Sequence, residues 1–263
     1  MNRNASVITL ALGCLLALPC LAQSSGAPGP QAEKPLDNGT DPTRFARLAE
    51  AKFEYLDLKG GFGSSTLRLS FTQPLGERRD YSLRFRGPVA SVDVAGNRDY
   101  GVGDASLQLA HVFGVTPHHG FVAQGELSLN TASRPELGTG KNVFKGTLIY
   151  ARFLDDGAIF APAFVQSNSL SGDAGRPTVN TTTLDFYYVP KFADPRNLVT
   201  FDPAVNVDWE NDKRYLSLQV TVGRVIGAAL GGNLIVFVKP SVFAGGDRPS
   251  QWGVEVGCKI LGF

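Results

Sequence analysis

An all-β, transmembrane antiparallel up-and-down β-barrel of about twelve strands is the fold class this sequence predicts, and three observations predict it. From Phe53 onward the chain is a succession of period-two runs, commonly about ten to fourteen residues long, separated by turn chemistry. That length suits strands crossing a bilayer at a tilt, which need about nine to eleven residues, whereas sandwich strands run to about five or six. Mean hydropathy is −0.03, and no segment beyond the first 22 residues approaches 18 consecutive apolar residues. Alternating lipid-facing and lumen-facing residues average to such a neutral value. Third, the chain opens on an export signal and closes on a strand-like run from Ser250 to Phe263.

The N-terminus carries Arg3, an apolar stretch from Val7 to Leu18, and Cys20 and Ala22 at small-residue cleavage positions. The apolar stretch is too short to span a bilayer, so residues 1–22 read as a signal peptide cleaved before Gln23. Cys20 offers a lipidation site, but Pro19 stands where that signal wants a small residue. Residues 23–52 read as a flexible periplasmic leader, Gly-, Pro- and Ser-rich to about Thr43, with a helical turn or two over Arg44–Lys52. Residues 53–263 form the barrel.

Alternation defines the strands. Leu67, Leu69 and Phe71 oppose Thr66, Arg68, Ser70 and Thr72; Tyr81, Leu83 and Phe85 oppose Ser82, Arg84 and Arg86. Phe121, Ala123, Leu127 and Leu129 oppose Gln124, Glu126 and Ser128. Later, Val199, Phe201, Val205, Val207 and Trp209 oppose Thr200, Asp202, Asn206 and Asp208, and Leu216, Leu218, Val220 and Val222 oppose Tyr215, Ser217, Gln219 and Thr221. In the closing run Trp252, Val254, Val256, Cys258 and Ile260 oppose Gly253, Glu255, Gly257 and Lys259. Strands are expected near 53–58, 65–73, 80–92, 100–113, 119–130, 142–154, 157–167, 179–190, 197–209, 213–225, 232–244 and 251–263.

An even count puts both chain ends on the periplasmic side and the two longest connections, Thr131–Lys141 and Asn168–Thr178, outside. Ten strands result if 53–58 stays in the leader and another strand is misread. Pro162, Pro203 and Pro240 fall inside expected strands, where a missing N–H usually marks a bulge. Trp252 and Phe263 are the expected closure and assembly residues, recognised by the barrel-assembly machinery. Phe263 does not share parity with Val254, Val256 and Ile260, which a bulge near Gly262 would repair.

Removing residues 1–22 takes Arg3 from 25 basic side chains set against 24 acidic ones, so the mature chain is balanced. It lacks the basic footprint of a nucleic-acid binder. Of three cysteines only Cys258 remains, which excludes an intramolecular disulfide. Gly138-Thr139-Gly140-Lys141 misses the phosphate-loop pattern at Pro135 and Asn142 and reads as a turn with a basic rim residue. His111, His118 and His119 have no nearby Cys and one nearby carboxylate, Asp104, so they predict no metal site. A barrel hydrolase acting on lipid would need an imidazole base near the outer membrane edge, and all three histidines fall toward the periplasmic side. No catalytic residue and no cofactor is expected.

The chemistry-bearing feature is the polar face of the strands. Arg68, Arg84 and Arg86 on neighbouring strands form a basic wall, with Glu126, Asp202, Asp208 and Glu255 on others. If these faces line the lumen, the charges orient polar solutes and set ion selectivity. The same residues would equally serve as a salt-bridge network that fills a narrow barrel, since twelve strands lie between the filled eight and the open sixteen.

A set of short motifs adds a family likeness: Leu127-Ser128-Leu129-Asn130-Thr131, Leu137-Gly138-Thr139-Gly140-Lys141, Val165-Gln166-Ser167, Val179-Asn180, Val207-Asp208-Trp209, Val222-Gly223-Arg224-Val225 and Trp252-Gly253-Val254. In this order, over about residues 60–263, the chain resembles the outer-membrane proteins associated with the meta-cleavage pathway of phenol degradation. It departs at Asn130, where that family usually has Pro, and at its ending. The resemblance implies a transporter-like barrel, with an aromatic or hydrophobic solute. The resulting expectation is an outer-membrane channel or transporter in a diderm bacterium, giving passive uptake of small organic solutes. Its partners would be outer-membrane lipid, the assembly machinery and the solute.

Overall fold

A computed structural model describes residues 36–94 and 97–263. The expected signal peptide, and the leader up to residue 35, lie outside the described residues. The strands are β1 (Leu48–Leu58), β2 (Phe62–Leu75), β3 (Tyr81–Val94), β4 (Asn97–Val102), β5 (Ser106–Phe113), β6 (His119–Ser128), β7 (Lys141–Phe153), β8 (Ile159–Gly172), β9 (Asn180–Val189), β10 (Asn197–Asp208), β11 (Lys213–Ala229), β12 (Gly232–Ala244) and β13 (Ser250–Leu261). Neighbours pair antiparallel, and β1 closes the ring by pairing with both β2 and β13.

Twelve staves result, because β4 and β5 are two halves of one. Strand β3 pairs through Tyr81–Arg86 with β5 and through Val89–Val94 with β4, so residues 103–105 face only Gly87 and Pro88. The run expected at 100–113 is this stave, with a break of bulge type in it. Closure pairs the edges of every strand but β4, whose free side is met by the 129–140 connection through Ser133 N–H donating to the Val102 carbonyl, and ring closure is what lets a sheet survive in hydrocarbon.

Strand β1 begins at Leu48, not Phe53, and the helical turn expected over Arg44–Lys52 is absent. The segment has ladder partners on both sides, from Leu48↔Leu261 on β13 and Leu48↔Thr72 on β2. Two sheet edges satisfy every backbone group, while an isolated turn or two of helix carries its full nucleation cost.

The barrel is inside-out relative to a water-soluble protein. Leu67, Leu69 and Phe71 on β2 and Leu83 and Phe85 on β3 are exposed, Phe85 at 54%. On the opposite face Ser70, Thr72, Ser82, Gln108, Glu126 and Glu255 are buried. Soluble chains almost never bury Glu while leaving Phe and Leu uncovered, so the outer surface is matched to lipid. Aromatic rings band both ends of that surface. At the proximal rim, where β1 starts and β13 ends, Tyr81 stacks on His111 at 4.1 Å, and Phe113, Phe121 and Tyr150 continue the row. At the distal rim Tyr55 and Trp252 lie 5.5 Å apart.

The three strand prolines do not produce bulges. Pairing is interrupted beside Pro162, Pro203 and Pro240, yet register is the same on either side of each gap: Ile149↔Ala163 resumes at Arg152↔Phe160, Ala204↔Asp185 at Phe201↔Tyr188, and Gln219↔Ser241 at Val222↔Val238. A missing N–H deletes a rung without adding a residue. Register shifts occur elsewhere, at Asp57/Leu58, Asn142/Val143 and Val225/Gly227.

Gly262 resolves the parity of Phe263. Its φ of 81° is a left-handed conformation that a side chain resists, and its N–H donates to the Arg47 carbonyl at 2.8 Å. The turn delivers the Phe263 ring to the outer face, edge-on to Phe71 with centroids 6.4 Å apart and under the Arg47 guanidinium.

Residues Asp37–Arg47 are not a free leader. Asn233 Nδ2 of β12 donates to the Asp37 carbonyl, Asn38 Nδ2 donates to the Pro195 carbonyl, and the Tyr187 hydroxyl of β9 donates to the Thr40 carbonyl. Thr43 lies over Gly120 of β6, and Gly39 lies against Lys259 and Leu261 of β13. Tyr187, Gly120 and Lys259 are inward positions on separate sides of the ring, so this segment crosses the lumen at its proximal rim.

Candidate functional site

The predicted polar faces all point into the lumen, and the structure adds their partners. Glu126, 6% exposed, takes a hydrogen bond from Ser106 Oγ at 2.7 Å and pairs with Lys145 Nζ at 2.5 Å and with Arg86. Arg86 also donates to Gln108 Oε1 at 2.7 Å, and Gln108 Nε2 donates to Gln124 Oε1 at 2.9 Å. This chain of contacts runs through β3, β5, β6 and β7. Glu255, 4% exposed, sits between Lys52 of β1 at 2.9 Å and Lys239 of β12 at 3.6 Å, and Lys239 also donates to Gln219 Oε1. Arg68 lies 3.9 Å from Glu54, and Arg84 Nε donates to Thr72 Oγ1 at 2.7 Å.

The expected separation into a basic wall and acidic walls is therefore refined. Each buried glutamate has a cation on either side from other strands, so positive and negative groups interleave around the ring. Charge-assisted bonds of this kind offset the desolvation of the buried carboxylates. Lys52, Lys145 and Lys239 are inward cations that the expected set of lumen residues did not include. For Lys145 and Lys239 the signal was the same inward parity that revealed the arginines, whereas Lys52 lies in the part of β1 expected to be leader.

The remaining two acids behave differently. Asp202 faces Asp185 of β9 beside the rung deleted by Pro203, and Oδ1 of each is buried without a hydrogen-bond partner. Asp208 turns its carboxylate onto the 209–212 connection, accepting from Glu210 N, Asn211 N and Asn211 Nδ2 at 3.1, 3.2 and 2.7 Å. Short polar residues cap turns in this way.

The 129–140 connection folds inward. Its 3₁₀ turn, Pro135–Leu137, buries Leu137 against Gly101 and Gly103, on the inner side of β4. A Cβ at Gly103 would come within 3.1 Å of Pro88 Cγ and 3.2 Å of the Leu137 carbonyl, so glycine gives this close approach its room. Asp104, noted in the sequence only as a carboxylate near the histidines, anchors this loop. It accepts from Thr131 N, Ala132 N, Thr139 N and Thr139 Oγ1 at 3.2, 3.1, 2.7 and 2.9 Å. From the 173–179 connection Arg176 donates to the Gly138 and Thr139 carbonyls. Gly138-Thr139-Gly140-Lys141 is thus part of a strapped inward loop.

The histidines belong to the proximal rim. His111 is on the outer face, His119 meets Thr116 Oγ1 at 3.2 Å, and the His118 N–H donates to the same hydroxyl. Among the described residues no group of three or more His, Cys, Asp or Glu could hold a metal ion.

The chain is similar to the COG4313 outer membrane channel from Pseudomonas putida F1, with a TM-score of 0.65 and 12% identity over 90% of this chain and all of that one. It is also similar to the KdgM porin, solved in complex with oligogalacturonate, with a TM-score of 0.54 and 11% identity over 81% of this chain and 98% of that one. This is an outer-membrane barrel fold. No protein-family model matches the sequence, and no curated protein matches it.

Proposed function

We propose that this barrel is a passive outer-membrane channel for small organic solutes, oriented with the proximal rim in the periplasm. The observation that carries this reading is the inward loop. The 129–140 connection is held on the inner wall by four bonds to Asp104 and two from Arg176, a rigid constriction at the mouth of a polar lumen. Barrels of this size hold room beyond what side chains alone fill. The interleaved wall of Arg86, Glu126, Lys145, Lys52, Glu255 and Lys239 offers paired donors and acceptors along the route, which suits a polar solute better than a hydrophobic one. The aromatic substrate implied by the phenol meta-cleavage family rests on that resemblance alone. Trp252 and Phe263 are the proposed marks for assembly.

Planar-bilayer recording tests the reading. Discrete conductance steps are expected, with ion selectivity changed by Arg84→Ala and by Glu126→Ala; a folded, membrane-inserted protein that gives no steps in any form counts against a channel.

A second reading has its own observation. The Asp37–Arg47 segment crosses the proximal rim, so the resting lumen is obstructed there. On that reading, deleting residues 37–43 raises the conductance, whereas an unobstructed channel is unaffected by the deletion.

A further inference from the structure

We propose that the distal vestibule is a capture site for small hydroxylated carboxylates. The inference rests on the channel reading and names the solute class that enters. A cavity of about 490 Å³ opens there, between the inner ends of β9, β10 and β11 and the 245–249 connection. That is within the usual range for small-molecule sites, roughly 300–1,000 Å³, and larger than a bare inorganic ion requires.

Three cations line it: Lys59, Lys213 and Arg248. Lys59 Nζ and Arg248 Nη1 donate to the Gly246 and Gly245 carbonyls, which hold the heads in place without neutralising them. Lys213 has no hydrogen bond or ion pair among the described residues, although it faces Asp208 across the β10–β11 ladder. The two lining carboxylates are already engaged, Asp208 with the 209–212 turn and Asp247 with the Arg214 N–H. Deeper in the barrel each buried glutamate has its cations; at this mouth Arg214 pairs with Asp212, and Lys59, Lys213 and Arg248 have no carboxylate within ion-pair distance among the described residues.

Parity decides whether these charges face solute or lipid. Lys213 shares the inner face of β11 with Tyr215, Ser217 and Gln219, and Thr183 and Asn206 line the same cavity from β9 and β10. The result is a net positive lining, three cations against two carboxylates, above a polar floor in which Thr183 Oγ1 donates to Asn206 Oδ1 and Asn206 Nδ2 to Ser217 Oγ. The cations suit a carboxylate and the floor suits the hydroxyl groups of the same molecule. Positive charge at a cleft mouth also raises local anion concentration and on-rate, by about ten-fold or more at low salt.

Gluconate is the probe, with glucose as the neutral analogue and chloride as the inorganic one. In single-channel recordings of the full protein, gluconate added at the distal side should block current at concentrations where glucose does not. Lys213→Glu should weaken that block about ten-fold, and Lys213→Gln should weaken it less, both with unchanged heat-modifiable gel mobility as evidence of folding. Equal block by glucose, full competition by equimolar chloride, or an unaltered block in folded Lys213→Glu overturns the proposal while leaving the channel intact. A protein that gives no steps fails as a channel instead. Calorimetric titration of gluconate into the detergent-solubilised barrel then judges the vestibule separately: binding lost in Lys213→Glu supports it, and no binding in the parent overturns it.

Discussion

Two stretches of the inner wall solve the burial of carboxylates in opposite ways. Around Glu126 and Glu255, acids and bases alternate from strand to strand, and each glutamate has cations on both sides. Between β9 and β10, Asp185 and Asp202 face each other and leave an oxygen each without a partner. Burial alone does not tell these regions apart. What separates them is whether the neighbouring staves bring opposite or like charge to the same height, and that is set by register. In the first region each carboxylate meets opposite charge; in the second the two carboxyl groups have mainly each other.

The largest expected effect breaks the first region. Glu126→Ala leaves Arg86 and Lys145 without their common partner, and Ser106 without an acceptor. It should cost about 3 kcal/mol, toward the low end for a broken buried pair because Lys145 is partly exposed. Urea unfolding in detergent micelles or lipid, followed by heat-modifiable mobility, measures it; a loss below about 1 kcal/mol would place the pair with exposed salt bridges. Next comes Asp104→Ala, which strips four bonds from the inward loop and should cost about 2 kcal/mol. Protease nicking within residues 130–140 should rise, and no change in cleavage would show that Arg176 alone holds the loop.

The second region predicts a gain. In Asp185→Asn the new amide can donate to the orphan oxygen of Asp202, so stability should rise by about 1 kcal/mol. A loss would mean that the pair is held by contacts other than its own charge. The smallest effect lies outside the membrane-spanning strands, in the 190–196 connection. Hydrogen bonds from Arg196 hold the Asp194 carboxyl down at about 2, and the side chain is partly exposed. A depressed folded value means the turn keeps this contribution above the ordinary carboxylate value of 3.8 and loses it as pH falls through about 2. Carboxyl carbon shifts from NMR in micelles check this, and a titration centred near 4 would contradict it.

Much of the barrel was legible because a membrane imposes period two for the length of each stave. Arg68, Arg84, Arg86, Glu126, Asp202 and Glu255 could be put on one face by counting alone. Pairing between them could not be counted out, since Arg86 meets Glu126 only after two hairpins fix the registers of β3, β5 and β6. Asp104 was hidden for a related reason: it sits in the broken stave, and its partners lie 27 to 35 residues away in the chain. The prolines misled because a lost rung and an added residue share one sequence signature. The start of β1 was missed because Leu48–Lys52 has weak alternation, and its strand conformation comes from partners at the far end of the chain.

The placement of Phe263 carries a consequence for how the ring is built. It follows β13, yet its ring rests on Phe71 of β2, with β1 running between them. The contact can form only when the first and last strands have zipped together in register. Phe263 thus acts as a latch across the seam, and a distance probe from residue 263 to residue 71 would time ring closure during assembly.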